Sequence, residues 1–76
     1  MKETDIARVQ AYLRATLDNS RIHIEAPKRK GGSVEVIVGD EFIGTLHRDD
    51  EDGEVSFTLT MSILEEDLPK VAVARK

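Results

Sequence analysis

The chain has 76 residues, 39% hydrophobic and 34% charged, with a net charge of −4 and no cysteine. Such a length allows one domain and no second core, and the composition is too apolar for disorder. Without cysteine there are no disulfides and no thiolate chemistry, and the acidic balance argues against a surface that grips nucleic acid or an anionic membrane throughout. The longest apolar run, Val71 to Ala74, is far shorter than a membrane span or a signal-peptide core, so a cytoplasmic protein is expected. A chain this small buries about 60–65% of its unfolded surface, which limits its stability to roughly 4–11 kcal/mol.

Residues 4–18 read as an amphipathic helix. Ile6, Val9, Leu13 and Leu17 share one stripe, bordered by Gln10 and Thr16. Thr4 is the expected N-cap, Glu3 and Asp5 suit the positive end of the dipole, and Asn19 is the expected left-handed cap. Tyr12, at the edge of the stripe, is expected to have its ring half buried and its hydroxyl wet.

Arg21 to Ala26 alternates, with Ile22, Ile24 and Ala26 on one side, until Pro27 removes a ladder donor. Lys28-Arg29-Lys30-Gly31-Gly32 is a basic loop, and Ser33 to Val38 is the second strand. For the turn at Gly39-Asp40-Glu41, a two-residue loop would pair Val38 with Glu41 and mix apolar with charged. A three-residue loop, with a bulge, pairs Val38 with Phe42, Val36 with Gly44 and Val34 with Leu46, and is the expected register. Gly44 would then leave a gap for Leu59 or Phe57. The third strand is expected to end near Arg48, before the polar turn Asp49-Asp50-Glu51-Asp52-Gly53.

Glu54 to Ile63 reads as a long fourth strand that buries Val55, Phe57, Leu59, Met61 and Ile63. Leu64 to Leu68 can form one helical turn before Pro69, and residues 70–76 are expected to be a mobile tail. The expected fold class is α+β: an N-terminal helix on one face of a four-stranded antiparallel meander, forming a single domain over residues 1–69. On this reading Phe57→Ala costs roughly 3–5 kcal/mol.

No motif in the chain assembles known chemistry. An EF-hand alignment with Gly53 at position six puts Arg48 at one and Leu59 at twelve, so two essential ligands fail. His47 would stand near Ser33 and Ser56 with Asp49 two residues along, but an open sheet face supplies neither pocket nor oxyanion donors. His23 and His47 fall on strands with another between them, a poor start for a metal site. No catalytic residue, metal ligand or cofactor is therefore expected.

Two surfaces remain. Lys28, Arg29 and Lys30 are candidate phosphate contacts, without a flanking aromatic for base stacking. On the outer sheet face, Ile37 and Ile43 are expected cross-strand partners beside Thr58 and Thr60, and the fourth strand offers a long edge dressed in hydroxyls. Such an edge is usually covered, here by Leu64, Leu68 and the tail, or paired with a second copy. The leading expectation is a non-enzymatic protein-interaction module, with a homodimer through the sheet edge or outer face as one form. The alternatives are a nucleic-acid accessory protein acting through the basic loop, and an enzyme or metal protein at His47 and the acidic turn.

Gly39-Asp40-Glu41-Phe42-Ile43-Gly44, then Arg48-Asp49-Asp50-Glu51-Asp52-Gly53, then Met61-x-Ile63-Leu64-x-x-Asp67-Leu68 resemble a set of short, mainly alphaproteobacterial proteins catalogued as a domain of unknown function. The resemblance runs over about residues 4–68. It implies a bacterial cytosolic origin and carries no assigned activity or catalytic residues.

Overall fold

The computed structural model describes residues 1–73. Helix α1 (Glu3–Thr16) is followed by strands β1 (Ile22–Glu25), β2 (Val34–Val38), β3 (Glu41–Asp49) and β4 (Ser56–Met61). The strands form one antiparallel sheet in the order β1-β2-β3-β4, the expected helix-plus-meander, and α1 packs over β1. One 3-10 turn (Glu51–Gly53) joins β3 to β4, and a second (Glu65–Asp67) follows β4. The expected tail, 70–76, reaches into residues 74–76, which lie outside the described residues.

The ends of the helix are fixed differently from expectation. Lys2, not Thr4, is the N-cap residue, and its own N–H donates to the Asp5 carboxylate at 3.4 Å. At the other end Asp18, not Asn19, takes the left-handed conformation with φ 51°. The Asn19 N–H then reaches the Arg14 carbonyl at 3.0 Å and the Asp18 N–H the Ala15 carbonyl at 3.4 Å, the paired bonds of a Schellman ending. Asn19 is used differently, its side-chain oxygen accepting from the Arg21 N–H at 2.9 Å.

Ile22, Ile24, Val34, Val36 and Leu46 are buried, with Ile6, Val9, Leu13, Val38, Ile43, Phe57 and Leu59 packed around them. Leu17, Phe42, Val55, Met61 and Ile63 were expected in this core but stand exposed, as does Tyr12. Geometry explains most of this. A helix is about 10–12 Å across with its side chains, whereas four strands spaced about 4.8 Å apart make a wider floor. Because α1 sits over β1, the strip along β4 is left partly open.

The β2–β3 turn also departs from expectation. Val34 pairs with Leu46 and Val36 with Gly44 as expected, but Ile37 then pairs with Phe42 and Val38 with Glu41. The loop is therefore the two-residue Gly39-Asp40 turn, with Gly39 at φ 64°, where an L side chain would be strained. Ile43 is the extra residue of a bulge between these pairs. The bulge turns Ile43 toward the core and leaves Phe42 outside, so the inward row is kept without a three-residue loop although Val38 faces Glu41 at the tip. Gly44 leaves no gap for a side chain, because the β4 backbone fills the space: a Cβ there would run into the Thr60 carbonyl.

Ile22 is only 2% exposed, so Ile22→Ala should cost about 2–5 kcal/mol in a chemical melt. Phe57 is half-buried, so Phe57→Ala should cost the monomer about half of the expected value, roughly 1.5–2.5 kcal/mol. Equal losses at the two positions would contradict this division of the core.

Candidate functional site

A four-stranded open sheet has two free edges, and this protein treats them unequally. At β1 the helix supplies the missing partners. The Ile24 N–H donates to Gln10 Oε1 at 2.9 Å, and Arg14 Nε donates to the Ile22 carbonyl at 2.7 Å. Both helix residues lie on the turns that carry Val9 and Leu13, so burying the apolar stripe brings amide and guanidinium over the strand. At β4 no side chain among the described residues hydrogen-bonds to the strand, and alternate N–H and C=O groups point outward as in any edge strand. Nor does Ser56–Met61 contain lysine, proline or a bulge, the usual protection of an edge.

Beside this edge lies an apolar groove between α1 and the sheet. It encloses about 360 Å³ and is lined by Val9, Tyr12, Leu13, Leu46, Phe57 and Leu59, with Asp5 and Arg8 at one end. Phe57 and Leu59 are half-buried and Met61 half-exposed on the same face. At the Phe57 end, Arg48 reaches Asp5 at 3.6 Å and Asp50 at 3.1 Å, which ties the start of the helix to β3.

The residues singled out from sequence are scattered. Thr58 pairs with His47 and Thr60 with Thr45 on the outer face, as expected. Ile37 is there too, flanked by His23 and Phe42, but Ile43 is not, so the Ile37/Ile43 pair is replaced by Ile37/Phe42. Asp49 pairs with Ser56, while Ser33, His47 and Arg48 share a shallow polar depression. His23 contacts Glu25 at 3.2 Å, two strands away from His47. Among the described residues no three His, Asp or Glu side chains converge as a metal ion would require. In the acidic turn, the Glu51 N–H donates to Asp49 Oδ1 at 2.9 Å and Arg48 holds Asp50.

Lys28, Arg29 and Lys30 are exposed on the β1–β2 loop. In a meander that loop and the acidic β3–β4 turn stand at the same end of the sheet, so their fields oppose each other. Among the described residues no helix is long and apolar enough to cross a membrane.

A family model described as a protein of unknown function (DUF3126) matches residues 5–67. The chain belongs to that family. Comparison with curated proteins and with solved structures returned no match.

The Gln10 and Arg14 contacts had no signature in the sequence beyond a polar residue at the border of an apolar stripe. Removing the Gln10 amide should cost about 1 kcal/mol. Hydrogen exchange at Ile24 in Gln10→Ala should quicken more than at Val36, and uniform acceleration would contradict an edge role.

Proposed function

We propose that this protein is a small non-enzymatic interaction module that pairs with a second copy of itself through the β4 edge. The observation that carries this reading is the contrast between the edges: α1 clasps β1, while β4 has neither a partner nor a guard among the described residues. Antiparallel pairing of β4 with its copy, about a two-fold axis normal to the sheet, would extend the meander to eight strands. Both helices would then lie on one face. Pairing centred on Leu59 sets Phe57 opposite Met61 of the partner subunit and Thr58 opposite Thr60 of the partner subunit, so apolar meets apolar below and hydroxyl meets hydroxyl above. The half-buried Phe57 and Leu59 would lose their remaining water contact in the same step.

The outer face supports association less well, since its apolar content is Ile37 and Phe42 among threonines and charges. The basic loop supports a nucleic-acid role less well, because the acidic turn shares its end of the sheet. A cysteine-free chain suits a reducing compartment, and the cytoplasm is the location this reading takes.

Sedimentation equilibrium tests the proposal. The native chain should be a concentration-dependent dimer. Thr58→Lys/Thr60→Lys should be a folded monomer, because like charges would face each other across the axis. Ile37→Ser/Phe42→Ser should remain dimeric. A native monomer at every concentration, or a lysine variant that dimerises as tightly as the native chain, would overturn the edge assignment.

A further inference from the structure

The stretch from Val55 to Ile63 reads Val-Ser-Phe-Thr-Leu-Thr-Met-Ser-Ile, and it mirrors itself about Leu59. Thr58 matches Thr60, Phe57 matches Met61, Ser56 matches Ser62 and Val55 matches Ile63. Alternation matches apolar with apolar about any nearby centre, but the ends of the stretch tell the centres apart. A centre at Phe57 sets Glu51 against Ile63, and one at Thr58 sets Gly53 against Ile63. A centre at Thr60 sets Ser56 against Leu64, and one at Met61 sets Phe57 against Glu65. A two-fold interface puts residue i against j and j against i, so a strand that pairs with its own copy must suit its own reverse. About Leu59 the whole stretch does.

The mirrored stretch is longer than the strand. β4 is Ser56–Met61, six residues, and its ladder with β3 stops at Asp49 with Ser56 and at Gly44 with Met61, next to the Ile43 bulge. β3 therefore offers no ladder partner to Val55, Ser62 or Ile63. None of the turn and loop hydrogen bonds among the described residues involves their backbone groups. Val55 is 52% exposed and Ile63 67%, although β-branched side chains suit a strand.

We propose that a second copy completes β4: on association Val55, Ser62 and Ile63 join the strand, which then covers the whole mirrored stretch. This rests on the edge pairing proposed above and adds an ordering of both strand ends that is coupled to it. In that register Val55 lies against Ile63 of the partner subunit, and Ser56 against Ser62 of the partner subunit. Symmetry repeats both pairs, so exposed β-branched side chains leave water together at each end. The backbone groups that β3 leaves without a ladder find one in the partner. Fixing three more residues costs conformational entropy, and the isolated protomer offers nothing in return. Charge ends the paired stretch. One step further Glu54 meets Leu64 of the partner subunit. Beyond that, Glu51 and Asp52 come to the same end as Glu65, Glu66 and Asp67 of the partner subunit, where like charges repel.

Backbone carbon chemical shifts, which distinguish strand from coil residue by residue, test the ordering on the full-length chain. At a dilution where sedimentation shows a monomer, Val55, Ser62 and Ile63 should have coil shifts, and where it shows a dimer they should have strand shifts. Val55→Lys and Ile63→Asp change positions that are exposed in the protomer, so each should fold as the native chain does and weaken dimerisation by about tenfold. In Val55→Lys/Ile63→Asp dimerisation should return to within about threefold of native, because opposite charges then meet across the axis. The two positions are about 27 Å apart along one strand, so no contact within a chain can give this rescue. Coil shifts in a native dimer, or single variants that dimerise as tightly as the native chain, overturn the ordering and leave edge pairing standing. Strand shifts in the monomer overturn it as well. A double variant no tighter than the single ones overturns the Leu59 centre, and a native chain that is monomeric at every concentration overturns both proposals.

Discussion

Two hydrogen bonds decide how this small protein is arranged. Gln10 accepts from the Ile24 amide and Arg14 donates to the Ile22 carbonyl, and together they hold the helix over the first strand. A helix centred over the sheet would cover the core more evenly but would leave both edges bare. By closing one edge it uncovers the apolar strip beneath the other. The exposed β4 edge, the half-buried Phe57 and Leu59, and the groove between α1 and β4 all follow from that placement.

The β2–β3 hairpin shows a related economy. The two-residue Gly39-Asp40 turn fixes the pairing at the tip, while Val36 with Gly44 fixes it further down, and the two differ by one residue. The Ile43 bulge absorbs the difference. Its side chain joins the core edge, Phe42 goes to the outer face, and Gly44 lets β4 approach so closely that no Cβ fits. The resulting sheet has a buried centre at Val34, Val36 and Leu46 and an unfinished margin.

The unfinished margin gives the proposed assembly its logic. The core of a single protomer is small, with Ile22, Ile24, Val34, Val36 and Leu46 its buried residues among those described. Pairing two margins would bury Phe57 and Leu59 more fully. Stability and association would then depend on the same residues.

The helix, the four strands and their order were legible in the sequence, because periods of 3.6 and 2 in short segments report directly which face is apolar. The Val34–Leu46 and Val36–Gly44 pairs were legible for the same reason. What the pattern could not convey was how far one helix reaches. Val55, Met61 and Ile63 alternate as core residues do, but they lie beyond its cover, and Leu17 falls at the exposed C-terminal cap of the helix itself. Nor could it place the bulge, expected with a three-residue loop but found at Ile43 beside a two-residue turn, since Phe42 and Ile43 are both apolar and either can face inward. The β4 edge was legible as a strand with hydroxyls outward, although Ser56–Met61 is shorter than the expected Glu54 to Ile63; its contrast with β1 was not, because Gln10 and Arg14 meet β1 only after the chain has turned back through Asp18 and Asn19. Local periodicity thus determined the elements and their faces. Tertiary structure alone decided which strand the helix guards, because that depends on contacts between residues eight to fourteen positions apart.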